Sequence, residues 1–114
     1  MVFGSSDILE NRIQRQLELH PLSSPQPKRH LQRMGLYASQ LKIDKLLREF
    51  AQYMEDGRVG VCEAHDLLVY EILFHACGKM KDIASIDQTL ASMRKMHLQP
   101  TDTTSRYILR AYFE

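Results

Sequence analysis

The sequence predicts an all-α protein, an α-solenoid of antiparallel helix pairs preceded by a short N-terminal helix, and three observations lead there. Read forty positions apart, residues 43–57 (IDKLLREFAQYMEDG) lie on residues 83–97 (IASIDQTLASMRKMH), so Ile43 meets Ile83, Leu46 meets Ile86, Phe50 meets Leu90 and Tyr53 meets Met93. Read thirty-five apart, Leu73, Phe74 and Ala76 lie on Ile108, Leu109 and Ala111. Apolar residues recur at helical spacing, and no stretch alternates with period two for long enough to argue a strand. Internal periods of this length belong to stacked units, each too small to bury its own apolar face.

Residues 7–19 place Ile8, Leu9, Ile13, Leu17 and Leu19 at near-helical spacing, with Ser6 or Asp7 as N-cap, and predict a short amphipathic helix. Pro21–Pro27 holds three prolines and two serines. Proline lacks the amide donor and turns its preceding residue away from helix, so residues 1–27 read as an N-terminal helix and linker. Residues 28–114 read as the helical-repeat domain. From Lys28 to Gln40 the positions Leu31, Met34, Leu36 and Tyr37, followed by Leu41, predict its first helix. Over 43–55, Ile43, Leu46, Leu47, Phe50, Ala51 and Met54 follow the i, i+3, i+4, i+7, i+8, i+11 pattern of one buried face. Asp56-Gly57 supplies the stop, because glycine tolerates the left-handed conformation that ends a helix.

After a loop around 58–65, Leu68, Val69, Ile72, Leu73, Ala76 and Cys77 form another stripe, closed by Gly78. The next helix opens at Asp82, whose carboxylate is placed to accept a hydrogen bond from the Ser85 amide. It runs to about Met96, with Ile83, Ile86, Leu90, Met93 and Met96 inside. Pro100 prevents continuation, and Thr101 or Asp102 caps a last helix carrying Tyr107, Ile108, Ala111 and Tyr112.

The 114 residues are one domain's worth, 44% apolar and 25% charged, with no apolar run near the roughly 20 residues a spanning helix needs. Net charge is +1, without the overall basic footprint of a small nucleic-acid binder. The charge is uneven, however. Lys28, Arg29, Arg33, Lys42, Lys45 and Arg48 face a single acid, Asp44, over residues 27–48, a local excess of five positive charges suited to phosphate. Two cysteines without an apolar signal segment read as free thiols in a reducing compartment. Asp7, Glu10 and Glu18 argue against residues 1–20 being an organellar transit peptide, which is poor in acids.

The segment Leu67–Thr101, LLVYEILFHACGKMKDIASIDQTLASMRKMHLQPT, resembles one complete pentatricopeptide repeat of 35 residues. The resemblance is carried by Tyr70, Ile72, Leu73, Ala76, Lys79 before the inter-helix turn, Ile83, Met93 and the closing Leu98-Gln99-Pro100. Residues 102–114 resemble the first helix of the next repeat, and about Arg29–Asp66 a degenerate preceding repeat with a longer final loop, about two and a half repeats in all. The Trp, Leu-Gly and Tyr signature of the tetratricopeptide repeat is not visible.

The resemblance implies single-stranded RNA read at about one base per repeat from the concave face, and residence in the mitochondrion, with the plastid as the alternative. The family's base-reading pair, the fifth and last residues of a repeat, falls on Glu71 and Thr101, and Arg106 is the fifth residue of the next repeat. An ionised carboxylate is repelled by phosphate, so the expected contacts are sequence-independent ones from Lys28, Arg29, Arg33, Lys42 and Lys45, together with Arg106 and Arg110. The expected function is that of a non-catalytic component of a ribonucleoprotein such as the mitochondrial ribosome, in contact with single-stranded or ribosomal RNA and with protein subunits. The alternative is a protein scaffold or assembly subunit with no direct RNA reading.

Repeat stacks need neighbours to cover their end faces. Tyr107, Ile108, Tyr112 and Phe113 are left without a following helix, so Tyr107, Tyr112 and Phe113 are the candidate partner-binding residues. Cys62, His65, His75 and Cys77 are the one group with metal-capable side chains near each other in sequence. His75 and Cys77, two apart on a helix, point in different directions. No metal, cofactor or small-molecule substrate is expected; Cys77 reads as a core residue and His75 as a surface one. No phosphate-cradling glycine loop, nucleophile motif or carboxylate pair points to an enzyme.

Overall fold

A computed structural model describes residues 5–113, which form six helices: α1 (Ser5–Leu19), α2 (Pro25–Ser39), α3 (Ile43–Asp56), α4 (Glu63–Met80), α5 (Ile83–Lys95) and α6 (Asp102–Phe113). The all-helical class is as predicted. In α1, Leu9 and Ile13 are buried; the side chain of Ile8 lies outside the described residues.

The first helix of the array begins at Pro25, inside the stretch expected to be linker. Ser24 is its extended N-cap residue, and Pro25 stands in the first turn, where a missing amide hydrogen costs nothing. The connection from α1 shrinks to residues 20–24. Leu31, Met34 and Ala38 turn into the core, while Leu36 remains exposed on the outer flank. On α3 the buried line is Leu46, Glu49 and Tyr53, with Ile43, Leu47, Phe50 and Met54 beside it; Ala51, expected inside, is exposed.

α4 is the centre of the molecule and packs against every other helix. Leu68, Val69, Tyr70, Ile72, Leu73, Phe74, Ala76 and Cys77 are all at 2% exposure or less, so this helix is covered on every side. Burial stabilises each of its large apolar side chains by about 1.5–3 kcal/mol. Around it α2 pairs with α3, α5 lies on α4, and α6 packs on α4 out of reach of α2; α1 folds back across α2 and α4. The Cα radius of gyration is 13.2 Å, that of a compact domain of this length.

The forty-residue period reappears in the backbone. Leu41 and Lys81 both adopt left-handed φ (55° and 53°), and each is followed by a helix opening at Ile43 or Ile83. The Lys42 amide donates to the Tyr37 carbonyl (2.9 Å) and the Leu41 amide to that of Ala38 (3.1 Å), and likewise Asp82 to Cys77 (3.0 Å) and Lys81 to Gly78 (3.2 Å), in each turn the paired bonds of a Schellman ending. His97 (φ 58°) repeats the motif after α5, with Leu98 bonded back to Met93. Asp82 caps α5 as predicted, accepting from the Ser85 amide at 3.1 Å.

Two glycines act differently from expectation. Gly57 has φ −94°, not a left-handed value; a Cβ there would lie 2.5 Å from the His30 ring and 3.0 Å from the Tyr53 backbone. Gly78 does not end α4, which continues to Met80. It faces α6, where a Cβ would stand 3.0 Å from the Tyr107 carbonyl oxygen. Gly57 still ends α3 where expected, its amide bonded back to the Tyr53 carbonyl, but its smallness, like that of Gly78, serves a close approach rather than a left-handed turn.

Candidate functional site

One position where a ligand was expected, Glu71, is covered by α1. Leu9 and Ile13, one turn apart, lie in the common core, and Arg12 between them reaches α4. Its Nε and Nη2 donate to the two carboxylate oxygens of Glu71, the second at 2.7 Å. Glu71 is only 4% exposed. A buried carboxylate needs a cation and donors, and the bidentate arginine supplies both. The hydrogen bond to Glu71 holds the Arg12 guanidinium above its usual range, against an opposing effect of desolvation.

Glu71 and Thr101, the expected base-reading pair, do come together. They line one small depression of about 150 Å³ with Arg12, Gln16 and Thr103. Both are already engaged. The Thr101 hydroxyl accepts from the Thr104 amide (3.2 Å), and the Thr104 hydroxyl donates to the Thr101 carbonyl (2.9 Å), so Thr101 serves as the cap of α6. Glu71, taken from the sequence as a ligand-facing position, is instead buried beneath α1.

A second tie fixes the end of α1. His65 Nδ1 accepts from the Cys62 amide (3.0 Å), which makes Nε2 the protonated nitrogen, and this donates to the His20 carbonyl (2.6 Å). The start of α4 and the end of α1 are thereby clamped together. Sequence reasoning missed Arg12 and His65 as fixings of α1. The available signal was Glu71, a lone acid in the apolar run of α4, which demanded a basic partner from elsewhere.

The basic residues fall where they were expected, at the surface. Lys28, Arg29 and Arg33 are exposed on α2, Lys42 in the following turn, and Lys45 and Arg48 on α3. Among the described residues none of these six forms an ion pair. Lys45 Nζ stands 6.0 Å above the Tyr37 ring. They do not converge on one pocket: Lys28 rims the groove between α1 and α2, whereas Lys42 and Lys45 border a depression that includes Leu41 and Met80. Arg106 and Arg110 lie exposed on α6, a helix that packs against neither α2 nor α3.

The partner candidates divide. Tyr107 turns inward, its ring 5.2 Å from that of His75 and nearly perpendicular to it. Tyr112 and Phe113 are 49% and 81% exposed, and Leu109, which sequence reasoning left out, joins them at 55%. Tyr112 donates to Asp87 at 3.2 Å, and Phe113 and Leu109 form an outer ridge on α6. The groove of about 520 Å³ between α1 and α2 is floored by Ile13 and Leu17 and rimmed by Glu10, Gln14 and Glu18.

Other polar side chains tie the helices together. His30 donates through Nδ1 to Glu49 (2.5 Å), joining α2 to α3. Asp66 accepts from Tyr53 (2.9 Å) and doubly from Arg58 (3.0 and 2.6 Å), joining α3 and its loop to α4. His75 is buried, not on the surface as expected, and among the described residues neither ring nitrogen has a hydrogen-bond partner. Burial, with the nearby charges of Lys79 and Arg110, pushes its imidazole down to about 4. Cys77 is buried as expected. Among the described residues no three His, Cys, Asp or Glu side chains gather into a metal-binding group, and no helix is long and apolar enough to cross a membrane.

No family model, curated protein or solved structure matches this chain.

Proposed function

We propose that the chain is a non-catalytic helical-repeat protein of the pentatricopeptide kind. In this reading α2–α3 and α4–α5 are successive hairpins of a short solenoid, and α6 opens a third. The protein serves in an organellar ribonucleoprotein such as the mitochondrial ribosome, with the plastid as the alternative residence. It holds single-stranded or ribosomal RNA through the phosphate backbone rather than through base edges.

The observation that carries this reading is the set of exposed cations on the α2–α3 hairpin, none of which forms an ion pair among the described residues. The engagement of Glu71 by Arg12 and of Thr101 by α6 supports contact without a base code, since phosphate contacts give affinity but carry no sequence information. The test is the triple variant Lys28→Glu, Arg29→Glu, Arg33→Glu, titrated against single strands of different sequence and against structured ribosomal RNA. Binding weakens to a similar degree for all, and the slope of its salt dependence falls by roughly 0.7 for each single-strand phosphate that is no longer neutralised. Unchanged affinity removes RNA binding from this hairpin.

The exposed Leu109, Tyr112 and Phe113 favour a second reading, that of a protein scaffold or assembly subunit with no RNA contact. Substitution of Tyr112 and Phe113 by alanine then releases the protein from its assembly and leaves RNA affinity alone.

A further inference from the structure

We infer that the α6 ridge is built to seat in the groove between α1 and α2 of a second copy of this chain, giving head-to-tail association. The two surfaces are complementary in shape and in charge. The ridge offers Leu109 and Phe113, one turn apart and 55% and 81% exposed. The groove, about 520 Å³ over a floor of Ile13 and Leu17, has room for a leucine and an aromatic ring.

The charges across the contact are opposite in sign. Glu10, Gln14 and Glu18 follow one another at four-residue steps along α1, so the two acids stand about 12 Å apart on the rim. Arg106 and Arg110 occupy the flank of the α6 ridge, one turn apart. With α6 laid along the groove, Arg106 and Arg110 come beside this acidic rim.

Ridge and groove lie on different faces, so the contact is heterologous: each copy offers one ridge and one groove, and growth continues until a ring closes or an open chain forms. The assignment rests on the reading of the α6 outer face as a docking surface.

The test measures mass against concentration by sedimentation or light scattering for three chains. Wild type rises from one-chain to two-chain mass and beyond, and less so at high salt, because the rim pairs are exposed. The groove variant Glu10→Lys, Glu18→Lys and the ridge variant Leu109→Asp, Phe113→Asp each stay at one-chain mass with wild-type circular dichroism. Mixed together, they form a one-to-one dimer that grows no further, since the intact ridge of the first fits the intact groove of the second. A wild type monomeric at every concentration, a groove variant that still associates, or a mixture that stays monomeric each overturns the inference. If the wild type is monomeric yet still enters a larger assembly through Phe113, the docking surface stands and self-association falls; if Phe113→Asp affects neither, both fall.

Discussion

Arg12 and Glu71, 59 positions apart in sequence, form the bidentate ion pair that holds α1 across the central helix. The two sides of the pair are unequal, with the Glu71 side chain 5% exposed and that of Arg12 38%. Replacing Arg12 by alanine strands a buried carboxylate and costs about 2–3 kcal/mol, below the fully buried case because the guanidinium already keeps part of its hydration. Replacing Glu71 by leucine frees an arginine that can turn to water and costs under about 1 kcal/mol. The double variant Arg12→Met, Glu71→Leu sits close to wild type in urea denaturation. Equal destabilisation by the two single variants would mean that the pair does not anchor α1.

The turn geometry predicts opposite effects at neighbouring positions. Lys81 is an exposed residue held at φ 53°, a conformation that costs an L-residue roughly 1–2 kcal/mol and glycine almost nothing. Lys81→Gly therefore raises the melting temperature by several degrees, the equivalent of about 1 kcal/mol. Gly78→Ala does the reverse. Helix propensity alone favours alanine by about 1 kcal/mol, but the added methyl meets the Tyr107 carbonyl at 3.0 Å, a backbone atom that moves only if α6 moves. The net effect is a destabilisation of about 1–2 kcal/mol, seen in the same melts.

These glycines mark where sequence legibility ended. The helices of the forty-residue period, with their inner residues Leu46, Ile86 and Met93, were readable because burial on one face writes a 3.6-residue pattern into the chain. The Asp82 cap was readable because it depends on a residue three positions away. Gly78 was misread as a stop, and Gly57, which does end α3, was given the wrong reason, because what requires a glycine at each, the α6 backbone and the His30 ring, comes from other helices. His75 was placed outside for the same reason: its cover is Tyr107, 32 positions on. The basic residues were legible as exposed, but not that they divide between two depressions. The covering of Glu71 by α1 was illegible in periodicity, since a lone arginine on an amphipathic helix looks like any solvated charge.

The two thiols differ enough to be counted by reactivity. Cys62 is exposed at the start of α4, whereas Cys77 is buried and its thiol is pushed up to about 11 by burial and, to a smaller degree, by Asp82. At pH 8 only about a thousandth of such a thiol is thiolate, the form that reacts. A disulfide reagent therefore labels one thiol per chain quickly and the second at a rate that follows global unfolding in denaturant. Cys62→Ser abolishes the fast phase; two fast thiols would show that α4 is not enclosed.

His75 gives the fold an acid-side dependence with a defined window. Its imidazole is neutral in the native state with a value near 4, while in the unfolded chain it returns to 6.5, so below 6.5 the unfolded state binds the additional proton. Stability is therefore complete above pH 6.5, declines as the pH falls toward 4, and declines no further on account of this residue below that. The decline is about 3 kcal/mol across the window, at about 1.4 kcal/mol for each pKa unit. Carboxylates titrate in part of the same range, so the measurement is a difference between wild type and His75→Phe in urea unfolding from pH 4 to 7. The phenylalanine keeps a ring against Tyr107 and removes two buried nitrogens that have no hydrogen-bond partners, which leaves it at least as stable as wild type at pH 7. Its advantage then grows with each step of acidification as Lys79 and Arg110 no longer oppose a charge forming beside them. Parallel curves for the two proteins would mean that the imidazole takes its proton without leaving its place between α4 and α6.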